Sequence, residues 1–223
     1  MDKNLSALEE HLGRFSILDK LLEHQLVPTE WQPLIRLSDK EKVKYVISLW
    51  EKYYLEEFSV LLGVFQKRLK TVHIIESDNK IALLYTFKNP KGEYLYYVGH
   101  APSLSWQLPE VSENLPWPAK FLEFYRNIHN GWYEVESHAL GLLPQDEFFG
   151  LSEKEWGVLD EISIDFSLDK ALAVFSNGAG GYLCWNFNTA EPSGLVWWDD
   201  EEPDMADFWD ILDEWSAMGI EEY

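Results

Sequence analysis

Apolar positions recur along this chain with two different periods. Over residues 39 to 69, Val43, Val46, Ile47, Trp50, Tyr54, Phe58, Leu61 and Phe65 fall mostly three or four apart and predict one helix with a broad apolar stripe. Ser38 followed by Glu41 supplies a capping box at its start. Residues 3 to 26 predict a helix before it. Aromatics at this spacing read as core, so Trp50, Tyr54 and Phe58 are assigned no binding role. From residue 71 the period becomes two. The stretch "TVHIIESDNKIALLYTFKNPKGEYLYYVGH" holds three β-branched and aromatic runs, parted by Ser77-Asp78-Asn79 and Asn89-Pro90-Lys91-Gly92. These are turn compositions, and the segment predicts an antiparallel meander.

Pro102, Pro109, Pro116 and Pro118 make residues 101 to 118 an irregular connector. In "LPWPAKFLEFYRNIHNGW", residues 115 to 132, Pro118 suits a first helical turn, because its missing N–H leaves no bond unmade there. Phe121, Leu122, Phe124, Tyr125 and Ile128 follow at helical spacing, and Asn130-Gly131 supplies a left-handed stop. Then "ALGLLP" predicts a strand, "LSEKEWGVL" a short helix begun by Ser152, and "ISIDF" another strand. "ALAVFSNGAGGYLCWNF" predicts two strands joined at a glycine turn, and "GLVWWDDEEPD" a third that runs into acids. Residues 205 to 217 predict a closing helix, with Phe208, Ile211, Leu212 and Trp215 on one face and Asp207, Asp210, Asp213 and Glu214 on the other. Strand and helix patterns segregate rather than alternate. That predicts an α+β fold: a mainly antiparallel sheet flanked by helices, with a helical N-terminal region. The connector divides the chain into residues 1–105 and a domain over 106–223.

Charge adds the strongest global signal. The chain has 18 Lys and Arg against 39 Asp and Glu, a formal charge of −21, so phosphate backbones are repelled and nucleic acid is no partner. Lys170 is the last base, and residues 171–223 carry twelve acids. A field of that sign steers a basic protein to the surface. The N-terminus "MDKNLSALEEHLGRF" lacks a basic region followed by an apolar one, and no run of about 18 apolar residues could span a bilayer. The expected location is the cytoplasm. The single cysteine, Cys184, lies in an apolar run and reads as packing.

Chemical motifs are sparse. "SNGAGGY", residues 176–182, lacks the Gly-Lys-Ser/Thr ending of a phosphate loop and joins two strands; positive φ angles in a hairpin turn account for Gly178, Gly180 and Gly181. The acids after Trp198 do not follow the alternation of a calcium loop, and no Cys and His cluster suggests zinc, so no metal or cofactor is expected. His129, His138 and Ser137 form no nucleophile elbow and no metalloprotease motif. No acid and base pair with orienting neighbours stands out, which argues against an enzyme.

One ordered set of pieces remains: Leu115-Pro116, Phe124-Tyr125, Asn130-Gly131, Gly141-Leu142-Leu143-Pro144, Gly180-Gly181-Tyr182, Gly194 to Trp198, and a closing helix with Phe208-Trp209. In this order over about 110 residues, the second half resembles the SUKH superfamily of Smi- and Knr-like proteins. The resemblance makes residues 115–132 a scaffold signature. Many bacterial members of that family are immunity proteins that bind and neutralise toxins, often nucleases. The resemblance therefore implies a non-enzymatic binding protein with a cognate toxin domain as its basic partner. The alternative it carries is an intracellular regulatory or scaffold protein without a toxin. The candidate partner surface is Trp197, Trp198, Asp199, Asp200, Glu201, Glu202, Asp204, Asp207 and Asp210, where aromatics sit beside charge. Neighbouring strand residues face opposite sides, so at most one of the two tryptophans is expected on the packed face.

Overall fold

The turns of the meander close where the sequence puts them. Asp78 and Asn79 both take left-handed angles, φ 49° and 62°, the pair that a two-residue hairpin needs and that Asp and Asn tolerate. A computed structural model of the chain describes residues 7–21, 26–103, 115–160 and 162–222. The meander strands are β2 (Leu69–Ser77), β3 (Lys80–Lys88) and β4 (Tyr94–His100), and β1 (Phe15–Ile17) adds to the outer edge of β2. Next come β5 (Trp132–Glu134), β6 (Ala139–Leu142), β7 (Phe149–Gly150), β8 (Ala171–Ser176), β9 (Gly181–Asn186), β10 (Ser193–Trp198) and β11 (Asp204–Ala206). Among the described residues these eleven strands form one antiparallel sheet in chain order, with β7 paired to β8 beside the main path. The fold is α+β. No helix of the described residues is long and apolar enough to cross a membrane.

Among the described residues five α-helices accompany the sheet: α1 (Glu9–Leu12), α2 (Asp39–Tyr54), α3 (Ser59–Arg68), α4 (Ala119–Asn127) and α5 (Phe208–Glu221). Side chains from α2 to α5 pack on one sheet face, against Leu83, Tyr85, Phe87, Tyr97, Trp132, Leu183 and Trp185. Trp50 is the hub there, with Phe58, Phe65, Phe124 and Trp132 each 5.2–5.5 Å away, at edge-to-face angles. Alternate strand residues point the other way. Leu8, Leu12 and Phe15 cover Leu84, Tyr96 and Val98 on that face, and the segment from Phe149 to Leu168 covers Ala173, Cys184 and Trp197. The sheet and the main core continue across position 105: β4 pairs with β5, and α2 packs on α4.

Several elements differ from the periodic reading. A helix over 3–26 is interrupted: Gly13 takes φ 68° after the single turn of α1, and residues 15–17 are extended and pair with β2. Its residues 3–6 and 22–25 lie outside the described set. The helix of 39–69 keeps its apolar stripe in the core but breaks at residues 55–58 into α2 and α3. "LSEKEWGVL" forms two 3₁₀ turns, Leu151–Glu153 and Gly157–Asp160, and the first starts at Gly150 with Glu153 accepting its N–H at 2.7 Å. Period two in "ISIDF" reflects packing of Ile162 and Phe166 on the cluster around Trp197, without strand pairing. The closing helix starts at Phe208 because residues 204–206 are taken by β11. Most of connector 101–118, residues 104–114, is outside the described residues.

The apolar positions of the stretch 115–132 are core. Pro118 sits just before the first residue of α4, one place earlier than expected. Phe121, Phe124, Tyr125 and Ile128 are buried. Gly131 has φ 85°, and a Cβ there would meet the backbone of Pro144 at 2.6 Å. The Tyr125 hydroxyl donates to the Leu143 carbonyl at 2.9 Å, and the Gln145 N–H donates to Asn130 Oδ1 at 3.1 Å. The Asn-Gly and Gly-Leu-Leu-Pro pieces thus lock onto each other.

Candidate partner-binding surface

The two tryptophans behave as adjacent strand residues must. Trp197 is fully buried, its ring 5.5 Å from Trp156 and 6.5 Å from Phe166. It belongs to the core, which removes it from the candidate surface. Trp198 faces the other side and is half-buried; it meets Trp215 at 5.8 Å and lies over Gly181, where a Cβ would come within 2.7 Å of its ring. Gly181 is therefore glycine because the Asn177 amide and this ring leave no room for a Cβ, whereas Gly178 and Gly180 hold the expected positive φ, 76° and 89°. Asn177 Oδ1 accepts the N–H groups of Ala179 and Gly181 at 2.9 and 2.8 Å, so the turn satisfies two of its own donors.

The acids divide into two groups. Asp199, Asp200, Glu201 and Glu202 are exposed in the loop after β10, at the same sheet end as the glycine turn. Asp199 Oδ1 accepts the Gly157 N–H at 3.3 Å. Asp204 lies on the edge strand β11, and Asp207 and Asp210 lie at the opposite end of β10, roughly 17 Å away at about 3.3 Å per residue. Asp207 caps α5, with Oδ1 accepting from Trp209 and Asp210 at 2.9 and 3.1 Å. Asp210 and Glu214 continue down the exposed side of α5. Asp213 leaves that side. It is buried, accepts the Leu61 and Val60 N–H groups at 2.7 and 2.8 Å, and caps α3. Ion pairs among the described residues join Lys42 to Asp39, Arg68 to Glu221, Lys120 to Glu57 and His138 to Glu147. None reaches Asp199, Asp200, Glu201, Glu202, Asp204, Asp207, Asp210 or Glu214.

The histidines have partners of their own. His129 is buried in a directed chain: Trp50 Nε1–H donates to the Tyr85 oxygen at 3.2 Å, the Tyr85 hydroxyl donates to His129 Nε2 at 2.6 Å, and His129 Nδ1–H donates to the His100 carbonyl at 3.2 Å. Protonating the ring would take away the acceptor of the Tyr85 hydroxyl, and burial lowers the His129 pKa to about 3. The unfolded chain, with an ordinary value near 6.5, binds the extra proton first. Stability from this residue is therefore complete above pH ~6.5 and falls by about 1.4 kcal/mol per pH unit below it, until pH ~3. Urea unfolding at pH 7 and pH 5 should show a loss about 2 kcal/mol larger in the parent than in His129→Gln; equal losses would mean that His129 is not held neutral. His138 Nε2 pairs with Glu147 at 2.6 Å, which raises its pKa, and the Ser137 hydroxyl donates to Glu134 at 2.8 Å. Burial pushes the Cys184 thiol above its ordinary range, as suits packing.

Two features had no signal in the spacing. A cleft of about 1030 Å³ opens at the sheet end opposite the acidic loop, lined among others by Glu30, Trp31, Lys80, His100, Asn130 and Asp146. Behind β8 and β9, Phe149, Tyr182 and Lys154 come together from segments up to 33 positions apart in sequence. Comparison of the chain with protein families, with curated proteins and with solved structures found no match.

Proposed function

We propose that this chain is a cytoplasmic binding protein without chemistry of its own, which captures a basic protein and blocks it as an immunity protein blocks a toxin. The observation that carries the reading is the set of exposed acids from Asp199 to Glu214 that no base of the described residues neutralises. Unpaired surface charge of one sign raises the association rate of an oppositely charged partner and rejects like-charged ones. The ordered resemblance to SUKH proteins supports the immunity role. Capture with the whole chain as bait at low salt should retain a basic protein that elutes as salt rises. Neutralising Asp199, Asp200, Glu201 and Glu202 to Asn and Gln should slow its association about tenfold and flatten the salt dependence. An unchanged rate and slope in the folded variant would place the interface elsewhere. Expression of the captured protein should arrest growth, and co-expression of this chain should restore it; a harmless captured protein would overturn the immunity role.

A further inference from the structure

Lys154 rests its ammonium on two aromatic rings rather than on a carboxylate. Its Nζ lies 3.9 Å from the centre of the Phe149 ring and 5.0 Å from that of Tyr182, whose hydroxyl is 3.5 Å away. The two rings meet nearly at right angles, 89°, with centres 5.4 Å apart, and Trp156 closes another side 5.7 Å from Tyr182. Phe149 and Tyr182 are half-buried, held against each other and Trp156 without being sealed from solvent, while Lys154 is exposed. Glu153 and Glu155 flank Lys154 in the chain, but among the described residues no ion pair ties its ammonium to either. The acidic loop adjoins this place, since the Gly157 N–H, next to Trp156, donates to Asp199.

Ring faces attract any cation through their quadrupole, and exposed contacts of this kind are individually weak. A lysine on a flexible stem leaves such a place readily, and a flat guanidinium stacks there better than an ammonium. We propose that the Phe149–Tyr182 ring pair is a seat for a lysine or arginine side chain of a basic partner, with Lys154 as its occupant in the free protein. The partner's identity as a basic protein rests on the function proposed above; the seat itself rests on the ring geometry. The loop acids deliver the partner's positive charge, and the rings then give one side chain a defined position.

The test needs no partner. N-acetyl-arginine amide is titrated into the whole protein, into Lys154→Ala, and into Lys154→Ala combined with Tyr182→Leu or with Phe149→Leu. N-acetyl-citrulline amide serves as the uncharged isostere, and the readout is the NMR shift of the Phe149 and Tyr182 ring protons. Lys154→Ala removes an exposed side chain and vacates the seat, so it should bind the arginine probe at least about threefold more tightly than the parent, the size expected of one exposed cation–ring contact. Citrulline should not bind, and loss of either ring should abolish the gain. Equal affinity for parent and Lys154→Ala, or equal ring shifts from citrulline, would overturn the seat. Either result is separable from the capture experiment, which depends on the loop acids and on salt.

Discussion

Replacing Asp213 by alanine is expected to destabilise the protein by about 4 kcal/mol, the cost of breaking a buried charged hydrogen-bond network. Its two carboxylate oxygens accept the Leu61 and Val60 N–H groups at 2.7 and 2.8 Å, and the Ser59 hydroxyl approaches at 3.5 Å. These backbone donors open α3, and a helix start has no partners of its own for them. Burial outweighs the three donors and raises the carboxyl pKa, so the group is held there at a cost that only its bonds offset. Asp213→Asn retains one acceptor and turns an NH₂ toward a second donor, for an expected loss of about 2 kcal/mol. Urea unfolding ranks the parent, Asn and Ala forms, and amide exchange at Val60 and Leu61 locates the effect. An Ala variant with the parent's midpoint would mean that solvent satisfies the start of α3.

Phe124→Ala should cost about 4 kcal/mol, through lost transfer energy and the cavity left behind. Phe124 is fully buried, with Trp50, Tyr54, Phe58 and Tyr125 at 5.5–6.0 Å. It comes from the second half of the chain and packs on α2 and on the turn before α3 from the first half. Thermal melting should therefore lower one cooperative transition rather than split it. Phe124→Leu, which refills most of the volume, should lose about 1.5 kcal/mol. If the Ala variant melts like the parent, α4 does not dock on α2.

The chain's local patterns set much of this structure directly. Asp78-Asn79 fixes a hairpin because few residues accept paired left-handed angles, and successive residues of the strands around it face opposite sides. The same alternation put Trp197 and Trp198 on opposite faces, and the helix over 119–127 follows from its apolar spacing and its Asn-Gly stop. The charge of the acidic end was equally legible, since it needs only counting.

Other features depended on contacts that no local pattern encodes. The stripe from Val43 to Phe65 is continuous, yet the helix breaks after Tyr54, and Asp213, over 150 positions away, caps its second half. Spacing alone puts Asp213 beside Glu214 on a charged face; its burial follows from α5 packing along α3. β11 is too short for a period to show, and it exists because β10 offers an open edge. Which tryptophan is buried, which acids share a surface, and where Lys154 finds its rings were all decided in the same way. Helical and strand periods are local and are written in consecutive residues, whereas burial, capping and proximity are set by segments that meet only once the sheet has formed.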